Sequence, residues 1–345
     1  MIGFPHLSSR FLLLFLLAIF TGCRTSDLPQ FRREYSATLM GMPWRIVLYA
    51  PNSEDANAAA AAAFQRVADL NQILSDYEPD SELSRLSRSA GSGRSVPLSP
   101  ELASVLIEAA RISAASEGSF DVTVGPLVDL WKRARRQRVL PEPARLEAAL
   151  TASGWTHVVL SHTGSGQTTA LLRRLGMRLD LGGIAKGYAI DEATRVLRAR
   201  GIRCSLVSGG GDLFAAGSPP GESGWKIQVG RLDISNAPTE RTVWLRDRAL
   251  VTSGDLFQRV EIKGVRYSHI IDPRTGQALT NHSQVTLIGN QTMTTDALSK
   301  VISVLGPSRA PSLARKFNVA FLLFQAPKGQ VVTLESPHWY FYEKH

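Results

Sequence analysis

The sequence predicts an α+β fold: a single mixed unit in which an antiparallel sheet carries flanking helices. Three observations lead there. Helix-forming stretches crowd the first half of the chain and short, turn-bounded strands crowd the second, a segregation unlike a doubly wound sheet. The glycine-rich stretch "SGGGDLFAAG" (208–217) lacks the strand–GxGxxG–helix context of a dinucleotide fold. No internal repeat or clear linker divides the 345 residues, and a composition of 44% hydrophobic and 20% charged residues suits one substantial core.

The first segment stands apart. "FLLLFLLAIF" (11–20) follows Arg10 and ends at "TGC", and it is too short to span a bilayer comfortably. It reads as an exported-protein signal over 1–22. The Gly22-Cys23 ending looks like that of a bacterial lipoprotein, with Cys23 as the lipidated residue and 23–34 as a polar tether. An ordinary signal peptide with a chance cysteine, or an uncleaved anchor, are the alternatives. The expected location is the bacterial cell envelope, on the periplasmic face. Only Cys23 and Cys204 are present, so a lipidated Cys23 leaves Cys204 unpaired, as a small buried hydrophobe.

The folded unit is expected over 35–345. Residues 35–50 read as two strand pieces broken near Gly41. A long Ala-rich helix follows from Ser53, its expected N-cap. Ser99-Pro100 opens a second helix to 117, a third stretch occupies "FDVTVGPLVDLWKRA", and a short helix covers 142–152. Strands are expected at 156–161, 169–174 and 177–181, then a helix at 184–200. More strands follow near 203–208, 212–217, 225–230, 241–246, 249–252, 258–262, 265–271 and 284–288. Helices at 292–305 and 308–316 and two last strands complete the chain.

The net charge of +9 comes with no nucleic-acid-binding motif, so no nucleic-acid partner is expected. Its densest cluster, "WKRARRQR" (131–138), is either a solvated helical face or a contact for anionic lipid.

Four stretches carry chemistry. In "LDLGGIAKGYAID" (179–191), Asp180 precedes a glycine pair that lets backbone approach a ligand, and a helix begins with Lys186 in its first turn. A cation there opposes the helix dipole unless an anion sits beside it. A plain strand-to-helix turn with a solvated lysine explains the stretch equally well. "SGGGDLFAAG" sets three glycines before a carboxylate, and a tight turn between strands is the simple reading. In "RYSHIIDPRTG", His269 ends an apolar strand and is a candidate general base, or simply a packed histidine. In "TTDALSKVISVLG", Asp296 and Lys300 share a helical face as an i, i+4 pair.

Taken in order, these segments resemble one family: the periplasmic flavin transferases, FAD:protein FMN transferase, of the thiamine-biosynthesis lipoprotein (ApbE) type. The resemblance covers about 35–325. It rests on "MGMPW" (40–44), "LSDYEPDSELSRL" (74–86), "GSFDVTVGPLVDLW" (118–131), "LDLGGIAKGYAID", "SGGGDLFAAG", "VTSGDLFQRV" (251–260), "YSHIIDPRTG" (267–276) and "TDALSKVISVLG" (295–306). It implies an ApbE/T-fold-like architecture and an enzyme that cleaves FAD, releases AMP and joins FMN by a phosphoester to a Ser or Thr of a partner redox subunit, assisted by Mg2+. By position, Met40, Tyr77, Ser119, Phe120, Asp121, Asp180, Lys186 and Ile271 resemble FAD-contacting residues. His269 is the candidate base. Gly183, through its carbonyl, and Asp296 match the metal ligands.

Two departures stand out. Met42 replaces the family's usual Thr in M-G-T. Lys300 stands where the family carries a metal-ligand Thr, and a protonated ammonium cannot ligate a metal. That puts Mg2+ in question. It leaves a non-transferring FAD-binding lipoprotein, or an FAD pyrophosphatase, as alternatives to a transferase. A solute-binding lipoprotein fits the signal and explains none of the eight motifs.

Overall fold

The computed structural model describes residues 31–344 except 165, 231, 233–239, 255–257 and 327–329. The expected signal, Cys23 and the start of the tether lie outside the described residues.

Strands β1 (Phe31–Leu39) and β2 (Met42–Ala50) form a hairpin that begins four residues earlier than the folded unit read from sequence. Its two-residue turn puts Met40 at φ 50° and Gly41 at φ 70°, the paired left-handed geometry that matches strand twist. Helix α1 (Ser53–Leu74) is capped by Asn52, not Ser53: the Asn52 Oδ1 accepts the Asp55 N–H at 2.8 Å. Its Ala59, Ala63, Val67, Leu70 and Leu74 line one buried face. Helix α2 (Glu82–Arg88) was not anticipated, because its polar sequence hides only Leu83 and Leu86 in the core. Then come β3 (Val96–Pro97) and α3 (Pro100–Ala115), capped as expected by Ser99, and after them α4 (Gly125–Gln137) and α5 (Pro143–Thr151). Strands β4 (Val158–His162) and β5 (Thr168–Leu172) pair with β3 in a small sheet.

The strand expected at 177–181 does not form. Arg178 makes a single bridge to Val124 and the Asp180 N–H donates to the Val122 carbonyl, but helix α4 starts at the next residue and ends the pairing. Gly125 is the close-approach point, where a Cβ would lie 2.5 Å from the Arg178 carbonyl oxygen.

Helix α6 (Ala185–Ala199) leads into β6 (Ser205–Gly209), β7 (Asp212–Ala216), β8 (Trp225–Val229), β9 (Arg241–Leu245) and β10 (Arg248–Gly254). The short hairpin β11 (Arg259–Ile262)–β12 (Val265–Ser268) follows, ending before His269 rather than at 271. Strand β13 (Ser283–Gly289), α7 (Thr292–Leu305), α8 (Ala310–Phe317), β14 (Ala320–Gln325), β15 (Val332–Glu335) and an unanticipated terminal helix, α9 (Tyr340–Glu343), complete the chain.

The main sheet runs β1-β2-β6-β7-β10-β13-β14-β15 with every pair antiparallel, as the α+β reading expects. Its central strands β7, β13 and β14 are buried on both faces and read as apolar runs, whereas β1 and β6 alternate. Ile46, Leu48, Phe214, Leu287 and Phe321 point toward α1, α3, α6 and α7. Their neighbours Val47, Leu213, Ile288 and Leu322 point the other way, toward β8, β9 and Trp339. A third cluster joins Leu127, Trp131 and Ala134 of α4 to Ile271 and Ala278, and the Trp131 indole N–H donates to the Gly276 carbonyl at 2.9 Å. That cluster anchors the segment just after His269.

Candidate active site

The carboxylates and lysines of three separate motifs meet at one end of the main sheet. Asp212 opens β7, Lys186 sits in the first turn of α6, and Asp296 and Lys300 sit on α7. The Lys186 ammonium pairs with the Asp212 Oδ2 and lies 3.9 Å from the Asp296 Oδ1. The Lys300 ammonium pairs with that same Asp296 Oδ1. The Asp212 Oδ1 accepts the Thr252 N–H at 3.2 Å, and the Asp296 Oδ2 accepts the Gly187 N–H at 3.2 Å. The anion that makes Lys186 reasonable at a helix N-terminus is therefore supplied by the protein. Burial alone would push the Lys186 ammonium down, but the charges of Asp212 and Asp296 override it and hold it up. Burial likewise works against the Asp296 carboxylate, and the charges of Lys186 and Lys300 reverse this and hold it low.

Backbone crossing fixes this arrangement. A Cβ on Gly187 would lie 2.4 Å from the Thr292 carbonyl oxygen, so α6 and α7 touch there through bare backbone. Asp191, also on α6, accepts the Thr292 and Met293 N–H groups at 2.9 Å each and so caps α7 from outside. Burial pushes the Asp191 carboxyl up to about 6.

Gly183 stands beside the cluster. A Cβ there would come within 3.2 Å of the Phe120 ring and 3.7 Å of the Lys300 Cγ. The structure thus brings Phe120, Gly183, Lys186, Asp296 and Lys300 together. Met42 also borders the site, since a Cβ on Gly210 would lie 2.8 Å from its sulfur and 3.8 Å from the Lys186 Cδ. Met40 sits two residues away at the hairpin tip, partly packed on the core.

On the other side of the 180–183 turn, the Asp180 Oδ1 accepts the Gly182 N–H at 2.8 Å, and the Asp180 Oδ2 lies 3.9 Å from the Lys132 ammonium. Burial, reinforced by the nearby Asp76 charge, pushes the Asp180 carboxyl up. Lys132 also reaches Asp76 at 3.4 Å and stands 4.3 Å from the centre of the Tyr77 ring. Tyr77 itself is 74% exposed, a flat aromatic surface open to a ligand.

His269 follows β12. A carbonyl oxygen only accepts, so the 3.2 Å contact from His269 Nδ1 to the Gln258 carbonyl puts the proton on Nδ1 and leaves the Nε2 lone pair free. Burial and then the Lys300 charge push this imidazole down to about 4. Arg135 and Lys186 act on it in the same direction.

Other expected ligand residues are engaged inside the protein. The Ser119 hydroxyl is buried and donates to the Ser116 carbonyl at 2.7 Å. The Asp121 Oδ1 accepts from the Thr123 N–H and hydroxyl at 2.8 and 2.7 Å, and its Oδ2 accepts the Trp155 N–H at 2.8 Å. Ile271 packs in the third cluster and bridges Ala278.

Sequence reasoning passed over Lys132 and Arg135, treating their cluster as a solvated face or a lipid contact. They lie three apart on α4, on the side turned toward Tyr77 and His269, while Arg133 and Arg136 face solvent. The i, i+3 spacing beside a buried Trp131 is the signal that finds them. It also noted Asp212 only as the carboxylate after three glycines.

The chain matches the ApbE family over residues 40–323. It is 30% identical over 311 residues to the FAD:protein FMN transferase of Vibrio cholerae, covering 89% of this chain and 90% of that one. The solved flavin transferase ApbE from Vibrio cholerae superposes with a TM-score of 0.81 at 28% identity, over 91% of this chain and all of that one. The apo flavinyl transferase ApbE from Pseudomonas stutzeri gives 0.78 at 28% identity, over 92% and 98%. With most of its length matched in sequence and in fold, the chain belongs to the ApbE family.

Proposed function

We infer that the protein is an FAD:protein FMN transferase, which splits FAD at the pyrophosphate, joins FMN to a Ser or Thr hydroxyl of a partner redox protein and releases AMP. The observation that carries this reading is the pair of ammoniums, Lys186 and Lys300, held on buried carboxylates beside a half-buried histidine with a free Nε2. The acceptor hydroxyl oxygen attacks the phosphorus on the FMN side. The bond from that phosphorus to the bridging oxygen breaks, and AMP leaves with the bridging oxygen and its electron pair. His269 Nε2 takes the hydroxyl proton. Lys186 and Lys300 offset the charge on the phosphate oxygens in a site too dry to screen it. Tyr77 offers its face to a ring of FAD.

Mg2+, which the family resemblance implies, does not fit the residues present. Magnesium takes a near-octahedral shell of oxygens. Both Asp296 oxygens and both Asp212 oxygens are engaged by ammonium or amide N–H groups, and the Ser253 and Ser299 hydroxyls bond each other at 2.6 Å. Among the described residues no group of three or more His, Cys, Asp and Glu converges to hold a metal.

The apolar run at 11–20 and the Gly22-Cys23 ending support a lipid tether at Cys23 on the periplasmic face of the envelope. There the acceptor is a membrane redox subunit.

Intact-mass spectrometry tests the function. Full-length protein in detergent is mixed with FAD and a candidate redox subunit. A gain of one FMN on the subunit with equimolar AMP is the expected result. AMP without labelling of a second acceptor as well would replace this reading with a pyrophosphatase.

A further inference from the structure

We propose that Lys300 is the resident cation of the phosphate site, held where a divalent metal would otherwise neutralise the substrate, so that FAD binding and cleavage proceed without one. The identity of the anion rests on the transferase reading. The cation rests on this chain's own residues.

Lys300 lies one helical turn beyond Asp296 on α7, and its stem passes Gly183 on the way to the carboxylate. Asp296 is wholly buried, whereas Lys300 keeps 17% of its side chain exposed. The lysine thus stands between the buried carboxylate and the opening. An ammonium has three donors. One meets Asp296, and the others are available to phosphate oxygens.

Charge balance points the same way. The cluster holds two carboxylates, Asp212 and Asp296, and two ammoniums, Lys186 and Lys300. It is neutral as it stands. In the absence of FAD, a divalent cation added to this buried set would leave two uncompensated positive charges, with the desolvation penalty that such charges carry, so the free protein has no driving force to hold one. A metal would also have to take Asp296 from Lys300. The ammonium is tethered through the α7 backbone and needs no dehydration of a free ion on each binding event. It acts by charge and hydrogen bonding alone and forms no covalent bond.

Two measurements on the full-length protein test this. Mn2+ uptake is read from the loss of the free-ion EPR signal, with and without FAD. FAD affinity is read from flavin fluorescence in excess EDTA and in millimolar Mg2+. For the unmodified protein the expected results are no stoichiometric Mn2+ uptake and FAD affinities within about twofold in the two buffers. Lys300→Thr should take up one Mn2+ per chain and lose at least tenfold in FAD affinity in EDTA, restored by Mg2+. Lys300→Arg should keep the EDTA resistance, because it keeps the charge. One Mn2+ bound per unmodified chain, or FAD affinity abolished by EDTA, overturns the proposal, and neither outcome depends on a variant folding. Both readouts are independent of transfer. A protein that binds FAD in EDTA yet labels no acceptor keeps the cation assignment and loses the transferase reading.

Discussion

The two clusters that flank the 180–183 turn are built in opposite ways. On one side, Asp212, Lys186, Asp296 and Lys300 lie deep between α6, α7 and β7, with their carboxylates buried and every charge matched. On the other, Tyr77 stands mostly in solvent with the Lys132 ammonium over its face. The difference separates two tasks. Neutralising a pyrophosphate needs charges that do not reorganise, which only a rigid, dry setting gives. Accepting a flat ring needs exposed aromatic area, and exposure is compatible with adjustment.

Breaking the buried side should have the largest effect. Asp296→Ala leaves Lys186 and Lys300 short of a counter-charge and should lower stability by about 3–5 kcal/mol, read from urea unfolding, with transfer lost. A variant that unfolds at the unmodified midpoint would show that the cluster contributes little to the fold. His269→Ala should reduce transfer by about 10²–10⁴-fold while FAD affinity stays within a few-fold, measured by intact mass and flavin fluorescence. A matching loss of FAD affinity would assign His269 to binding instead.

The exposed side should respond more mildly. Tyr77→Ala should weaken FAD binding by about two- to tenfold, in keeping with about 0.5–1.5 kcal/mol for aromatic stacking, and leave the melting temperature unchanged. Transfer should also carry a pH signature. The active imidazole is neutral, and its folded-state pKa lies at about 4, below the ordinary 6.5. Transfer by the free enzyme (kcat/KM) should therefore hold from pH 7 to 5 and fall only as pH drops through about 4. The same shift makes the unfolded chain the better proton acceptor, so His269 lowers stability as pH falls from 6.5 toward 4. An acidic limb near 6.5 would mean that the imidazole is far more hydrated than its surroundings indicate. The smallest effect belongs to Ser119→Ala. It removes one internal hydrogen bond, about 1 kcal/mol, and should leave FAD affinity unchanged.

Local chemistry made much of this legible. The Ser99-Pro100 cap, the Ala-rich face of α1 and the apolar stripe of α7 carry their structure in their own spacing. The pairing of Asp296 with Lys300 follows from the helical repeat. What stayed hidden depends on distant partners. The inward turn of Lys132 and Arg135 is set by Trp131, which packs against a segment some 145 residues away. The strand expected at 177–181 fails because helix α4 interrupts its partner. Asp121 and Ser119 carry ligand-like groups, but the Thr123, Trp155 and Ser116 backbones claim them, and no spacing rule reveals that.

Helix α7 does not hold its own first turn. Asp191 on α6 grips its leading amides, and Gly187 lets the two backbones meet. Such a helix cannot fray alone: its first amides reach solvent only when α6 and α7 separate, which disrupts the layer that covers the sheet. The α6–α7 wall of the phosphate end is therefore fixed at that crossing. A change at Gly187 or Asp191 is thus felt at both helices at once, and reaches Lys186 and Asp296 together.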